Sequence, residues 1–294
     1  MSTCTDWGRI LAAVVACCAC IAPPARAASD DGVGVGVVAE YRPAASRFKF
    51  ARPPRGEAVL VQIGTVVVAG DRVTLPANGE VTVQLASGET AKFQGPGTFS
   101  VPASRPLGAL ATVFQSLGAL FDDEYRLSGT AAARGGESCG QDGKVDPIAV
   151  PILVPGARIK AGTRDLPMGW RGGCPPFVVT VLSGQDKPVH RESIEGWQVR
   201  LDQVPLPVGR YSVVITDSTG KRFDTGLEAA DDAPAMPANL AGDTSRLGVT
   251  AQAIWLADQD GGRWRLDAFD RLRPLIRAGD PLASSIGDVL LWGH

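Results

Sequence analysis

The sequence predicts a mainly β protein with two small β modules and a C-terminal helical segment. Apolar and polar residues alternate between turns spaced about every 8–12 residues, which is typical of short antiparallel strands. Beyond Leu247 the apolar residues recur at helical spacing instead. We therefore divide the chain into a targeting segment (1–27), an extended N-terminal segment (28–56), a first β module (57–105), a helix and linker (106–147), a second β module (148–231) and a helical segment (240–294).

Residues 1–27 have the layout of a cleavable export signal. Arg9 precedes an uncharged run from Ile10 to Ile21, and Ala25-Arg26-Ala27 supplies the small residues that a signal peptidase accepts. The run is shorter than the roughly 20 residues that cross a bilayer, and no later apolar run approaches that length. We therefore expect a periplasmic or secreted protein without a transmembrane span. A lipid anchor at Cys17 is the alternative, since Val14-Val15-Ala16-Cys17 resembles a lipidation motif.

The charge balance argues against nucleic acid or an anionic membrane as a partner. The chain carries 29 Lys and Arg residues and 31 Asp and Glu residues, for a net charge of −2. Proteins that hold polyanions need a basic surface, and here the two signs are mixed along the chain. We expect no nucleic-acid partner.

The segment 28–56 is interpreted as extended chain. Gly34-x-Gly36-x-x-Ala39 superficially matches a dinucleotide fingerprint. That motif requires a preceding strand and a following helix, and the sequence indicates neither. We therefore interpret these residues as a flexible or edge-strand segment and expect no cofactor.

The first β module alternates clearly. Val81, Val83 and Leu85 alternate with Thr82 and Gln84, so that one face of the strand is expected to be buried and the other to meet solvent. The residues Gly64–Val73, Leu85–Thr90 and Phe93–Phe99 resemble the FecR-type periplasmic β domain over about residues 58–101. This resemblance implies a β roll in the periplasm and a non-enzymatic interaction role in envelope assemblies.

A single helix is predicted after the first module. Leu110, Phe114, Leu117 and Phe121 recur at helical spacing. The helix packs on its own domain or docks on a partner. The Gly-, Ala- and Ser-rich stretch 128–146 that follows is interpreted as a linker.

The second β module is predicted from 148 to 231. Phe177, Val179 and Val181 alternate with further apolar residues, which is typical of a strand covered on both faces. Asp217-Ser-Thr-Gly220 predicts a hairpin with glycine in the left-handed position. The run Leu206–Val213 followed by this turn resembles the late strands of immunoglobulin-like domains, and the resemblance implies a β-sandwich.

The helical segment 240–294 shows two apolar stripes divided by Gly261-Gly262 and a third short helix from Leu282. We expect it to cap a β module or to dock on a partner.

Two cysteines, Cys139 and Cys174, remain after export. In an oxidising compartment such a pair predicts a disulfide that closes a loop of about 35 residues. A redox pair would have Cys-x-x-Cys spacing, so a structural bond is favoured.

No motif predicts catalysis, a metal or a cofactor. His190 and the terminal His294 are the two histidines, and Asp258-x-Asp260-Gly261 matches only the opening of a calcium loop. We therefore predict a non-enzymatic extracytoplasmic interaction or scaffold protein that binds another envelope protein. A glycan- or peptidoglycan-binding module, with Trp170 and Trp197 as ligand contacts, is the alternative. A hydrolase using acids among Glu192, Glu195 and Asp202 is the third hypothesis.

Overall fold

The computed structural model describes residues 32–43, 48–54, 56–122 and 146–293, with the backbone alone for 118–122. The predicted export signal, Cys17, Cys139 and nearly all of the predicted linker lie outside these residues. The described part is mainly β, with antiparallel sheets and helices near the C-terminus, so the predicted fold class is confirmed.

The first module has eight strands in two four-stranded sheets. Their orders are β4-β1-β6-β7 and β3-β2-β5-β8. Valines, leucines and phenylalanines from both sheets form a core of their own between them. The strands are β1 (Gly34–Arg42), β2 (Lys49–Arg52), β3 (Glu57–Leu60), β4 (Val66–Val68), β5 (Arg72–Leu75), β6 (Glu80–Leu85), β7 (Thr90–Gln94) and β8 (Gly97–Ser100).

The interpretation of 28–56 as an extended or edge segment is wrong for β1 and β2. β1 lies between β4 and β6, in the interior of its sheet. It is buried on both faces, because Val35 and Val38 belong to the module's own core whereas Val37 and Ala39 belong to a larger core shared with the helices. Glycine in a strand interior weakens the strand, and β1 contains Gly34 and Gly36, so its sequence does not predict an interior strand.

The outer face of β6 also differs from expectation. Thr82 and Gln84, predicted to meet solvent, are each only 1% exposed. Helices that follow later in the chain cover this face of the sheet, which the alternation in β6 does not indicate.

The predicted first helix is confirmed as α1 (Leu110–Asp122). Leu110, Phe114 and Leu117 are buried in the larger core. The helix lies close to Gly64 in the first module, where a Cβ atom would lie 2.1 Å from Leu117 Cδ2, so a larger residue would require Leu117 to move. The φ of +81° at Gly64 also favours glycine. The helix therefore packs on its own chain at this face.

The second module is a two-sheet sandwich. Its sheets have the orders β12-β11-β14-β15-β9 and β10-β13, and all pairings are antiparallel except that of β9 with β15. The hairpin prediction is confirmed, since Gly220 has a φ of +85°. The strands are β9 (Ala157–Lys160), β10 (Gly162–Gly169), β11 (Phe177–Ser183), β12 (Pro188–Ile194), β13 (Gln198–Leu206), β14 (Gly209–Thr216) and β15 (Arg222–Ala230).

β11 is covered less than predicted. Phe177, Val179 and Val181 are fully buried against the second sheet, but Val178 and Thr180 on the other face are half-buried. The strand therefore has apolar residues on both faces, but only one face is fully buried.

The C-terminal helices follow the predicted stripes. They are α2 (Ala238–Ala241), α3 (Arg246–Gly262), α4 (Arg265–Arg277) and α5 (Pro281–Trp292), and α3 leaves helical geometry at Gln259–Gly261. α4 packs against β9, and α5 packs against both β10 and β1. The helical segment therefore covers parts of both β modules rather than capping one. Among the described residues, no helix is long and apolar enough to cross a membrane.

Candidate functional site

The predicted ligand contact Trp170 is wrong, because this residue belongs to the core. It is 0% exposed and packs edge-on against Phe177, with 5.2 Å between ring centroids. A ligand in solvent cannot reach this ring. Trp197 is half-buried, lies 6.1 Å from Phe177, and donates a hydrogen bond from Nε1 to the Gly172 carbonyl at 3.2 Å. The two tryptophans thus hold one corner of the sandwich together, and only Trp197 presents part of its ring to solvent.

A groove with a volume of about 440 Å³ opens at the β9 rim of the five-stranded sheet. Arg158 on β9 and Glu228 on β15 form an ion pair of 3.0 Å in its wall. Val208 is 63% exposed in the turn between β13 and β14. Five charged side chains of both signs line this groove together with Val208, Gly209, Ala229 and Ala230: Arg158, Arg210, Glu228, Asp231 and Asp232.

Arg158 is positioned by three contacts. Besides Glu228, it pairs with Asp260 at 3.2 Å and lies over the Trp264 ring, 5.1 Å from its centroid. The hydrogen bond that Arg158 donates to Glu228 is the main reason that the pKa of Arg158 is raised above its ordinary value. Arg158 therefore keeps its charge and forms a fixed wall of the groove.

Asp260, considered above as the start of a calcium loop, binds protein groups instead. Its Oδ2 accepts hydrogen bonds from Trp264 Nε1 at 2.9 Å and from Arg158. The hydrogen bond from Trp264 is the largest cause of the lowered pKa of Asp260. Within 32–43, 48–54, 56–122 and 146–293 there is no group of three or more potential metal ligands.

A second charged cluster fastens α4 to the sandwich. Arg164 Nη2 on β10 lies 2.7 Å from both Asp267 Oδ1 and Asp270 Oδ2 on α4. Arg273 Nη1 lies 2.6 Å from Asp165 Oδ2, next along β10. We call these five residues the α4 cluster. Two neighbouring residues of β10 thereby pair with three residues that follow one another at intervals of about one turn along α4. The cluster therefore fixes the position of α4 along β10.

Within the α4 cluster, burial and ion pairing shift the pKa values of the carboxyl groups in opposite directions. Burial raises the pKa values of Asp267 and Asp270 above their ordinary range, although Arg164 faces both. The backbone N–H of Gln203 is the main cause of the lowered pKa of Asp165. Gln203 lies in a bulge of β13 and has a φ of +54°. Because its backbone N–H donates to Asp165 Oδ1, Asp165 also stabilises this bulge. These carboxylates serve as the acceptors that hold helix, strand and bulge together.

The acids of the hydrolase hypothesis lie on different strands or loops. Glu192 lies on β12, 3.6 Å from His190, and Asp202 lies on β13 in an exposed pair with Arg200. Glu195 is exposed after the end of β12. The structure shows no hydrogen bond that joins any two of these three acids.

Cys174 is buried, and its backbone N–H donates to Asp217 Oδ2 at 2.9 Å. Burial by itself raises the pKa of Asp217, but the hydrogen bonds from Thr219, Cys174 and Lys221 hold it below its ordinary value. The position of Cys174 is therefore tied to the β14–β15 hairpin. Its predicted partner Cys139 lies outside the described residues, so the disulfide stays a prediction.

The sequence indicated neither the groove nor the α4 cluster. The groove residues come from β9 and from the β14–β15 hairpin much later in the chain, and no local pattern joins them. The α4 cluster had a local signal, because Asp267, Asp270 and Arg273 are spaced by three and therefore lie on one helix face.

Comparison with known proteins gives little further guidance. No family model and no curated protein matches this chain. Among solved structures, the crystal structure of CopC from Methylosinus trichosporium OB3b is similar to 29% of this chain and 90% of that chain, with 18% sequence identity and a TM-score of 0.22. A likeness at that score carries no conclusion about the fold or function of this chain.

Proposed function

We propose that this chain is a non-enzymatic interaction or scaffold protein of the bacterial envelope, and that the groove at the β9 rim holds a segment of another envelope protein. The observation that carries the proposal is the combination of a walled groove with an exposed apolar residue, Val208, at its mouth. Protein interfaces typically join an apolar anchor to a polar, charged surround.

The charges of the groove favour a protein partner over a polymer of one charge sign. Arg158 and Arg210 line the same groove as Glu228, Asp231 and Asp232. Arg158 is already paired with Glu228, and Lys160 pairs with Asp232 at 3.4 Å. A polyanion meets repulsion from the acids, whereas a folded protein surface can present both signs in register.

The export signal and the resemblance to FecR-type domains support the location. Both point to the periplasm or the exterior, and the resemblance implies an interaction role. In that oxidising compartment we also propose the Cys139–Cys174 disulfide. Intact-mass measurement without reductant tests it, because two reactive thiols in protein recovered from the envelope contradict the bond.

Site-specific cross-linking in intact cells tests the function. A photoreactive residue replaces Val208 in the groove, and Leu60 in the first module, which is 38% exposed, serves as the matched control position. We expect one dominant envelope protein to be captured from position 208 and lost when Arg210→Glu is added. Capture of the same protein from both positions, or none from 208, contradicts the assignment to this groove.

The glycan-binding alternative now depends on Trp197, since Trp170 is inaccessible. Retention of the protein on isolated cell-wall material, lost in Trp197→Ala but kept in Arg210→Glu, would favour that function instead. The two variants therefore separate the hypotheses.

A further inference from the structure

The outer face of the first module's sheet has the residue types of a solvent-exposed surface, yet it is buried. Thr82 and Gln84 of β6 point away from the module's core, which is formed by Val81, Val83 and Leu85. Both polar side chains are 1% exposed. α5 packs against β1, the neighbouring strand, and reaches Gln84 through Asp280.

Two side-chain hydrogen bonds between described residues join α5 to the first module. Gln84 Nε2 donates to Asp280 Oδ2 at 3.1 Å, and Ser285 Oγ donates to the Ala39 carbonyl at 3.2 Å. Thr82 Oγ1 and Gln84 Oε1 are buried without a hydrogen-bond partner in the described part of the chain. A buried polar atom that lacks a partner costs free energy, and water removes that cost when the face is exposed.

The first module does not need α5 for its own core. Thirteen buried residues from its two sheets pack together as a separate cluster. From its outer face, Val37, Ala39 and Ala86 are buried in the larger core, and Ile63 and Val66 pack against that core while partly exposed. Separation from α5 therefore leaves the module's interior intact.

α5 is held more firmly on its other side. Leu282, Ile286 and Leu290 are buried in the larger core, and α5 packs against α4 and β10. Arg171 donates a hydrogen bond to the Trp292 carbonyl at the C-terminal end of α5. When the junction opens, α5 stays with the sandwich.

We propose that α5 is a removable cover on the first β module, and that the module separates from it to expose the Thr82–Gln84 face while both parts stay folded. This inference is independent of the groove. On this proposal, the outer face of β1 and β6 is buried in the closed molecule and becomes accessible to solvent when the junction opens.

Thiol labelling of neighbouring positions in β6 tests the cover. Thr82→Cys reports exposure of the outer face, and Val83→Cys, next to it but in the module's core, reports unfolding of the module. Under native conditions we expect Thr82→Cys to react on the order of 10-fold faster than Val83→Cys, because local opening is more frequent than unfolding. The unsubstituted protein serves as the control for background labelling, which the proposed Cys139–Cys174 disulfide would keep low.

A second pair keeps the test decisive if one variant does not fold. Ala86→Cys lies on the outer face and Leu85→Cys in the module's core, one residue apart. Faster labelling at 82 and 86 than at 83 and 85 supports the cover. Equal rates at both faces overturn it, because they show that the outer face is exposed only when the whole module unfolds.

Discussion

The helical segment meets the two β modules through junctions of opposite character. α4 meets the sandwich through the α4 cluster, in which Arg164 and Arg273 each contact carboxylates at 2.6–2.7 Å. α5 meets the first module through a hydrogen bond from Gln84 Nε2 to Asp280 Oδ2, and Thr82 Oγ1 and Gln84 Oε1 have no hydrogen-bond partner in the described part of the chain. Both junctions keep buried polar atoms without a hydrogen-bond partner among the described residues, and in the α4 cluster these are Arg164 Nε and Asp270 Oδ1. The difference lies in what joins the elements, since the first junction contains several ion pairs and the second contains side-chain hydrogen bonds.

This difference indicates which junction can open without damage. Breaking the α4 cluster leaves buried charges without partners, which is strongly unfavourable in a low-dielectric interior. Opening the α5 junction hydrates a threonine and a glutamine that are poorly satisfied when closed. We infer that the sandwich, α4 and α5 behave as one unit and that the first module is the part that separates.

The largest effect is expected from Arg164→Ala. It leaves Asp267 and Asp270 facing each other in a buried site, so we expect the free energy of unfolding to fall by about 3–5 kcal/mol. Denaturant unfolding measures it. Arg200→Ala, which removes an exposed pair with Asp202 (side chains 50% and 58% exposed), should change little. Similar losses in both variants would contradict a special role for the α4 cluster.

The pH dependence of stability should follow from the same carboxylates. Burial raises the pKa values of Asp267 and Asp270, so the native state binds their protons more tightly than the unfolded chain does. Their contribution to stability therefore rises as the pH falls through those native pKa values. The pKa values of Asp165 and Asp217 are lowered, so the contribution of these two residues to the stability of the protein decreases as the pH falls.

Thermal unfolding measured from about pH 7.5 to about pH 4.5 tests this sign. The unsubstituted protein should gain stability relative to Asp267→Asn as the pH falls, because asparagine does not titrate. A difference between the two proteins that is constant with pH, or that shrinks on acidification, contradicts a raised pKa at Asp267.

A smaller effect is expected at the α5 junction from Asp280→Ala. Asp280 Oδ1 accepts from the Ala283 N–H at 2.9 Å as the N-cap of α5, and Oδ2 accepts from Gln84. We expect a loss of about 2–3 kcal/mol, of which the cap accounts for about 1 kcal/mol. Ser245→Ala removes the N-cap of α3 alone and is the matched control. Equal losses would show that the bond to Gln84 contributes nothing.

The smallest effect, with opposite sign, is expected from Thr82→Val. Removing a buried hydroxyl without a partner should raise the free energy of unfolding by about 1 kcal/mol. Thr250→Val is the matched control, since Thr250 is fully buried but donates to the Arg246 carbonyl at 2.9 Å, and its loss should lower stability. Denaturant midpoints compare the two. Destabilisation by Thr82→Val would indicate a partner for its hydroxyl in solution.

Local patterns predicted most of the elements but not their surroundings. The alternation in β6, the glycine of the Asp217–Gly220 hairpin and the stripes of α3 to α5 are set by residues close together in the chain. β1 is not predicted as an interior strand because Gly34 and Gly36 weaken its strand signal. Trp170 was assigned to a ligand because its burial depends on Phe177 across the sandwich corner.

The sequence by itself determined the mainly β class, the periods of its strands and helices, and the positions of several turns, because these depend on side chains two to four residues apart. Only the tertiary structure decided that Thr82 and Gln84 are covered, that Arg164 meets Asp267 and Asp270, and that a groove forms beside Arg158. Each of those features joins residues from distant segments. Their burial and pairing depend on how the modules and helices pack, which no local period records.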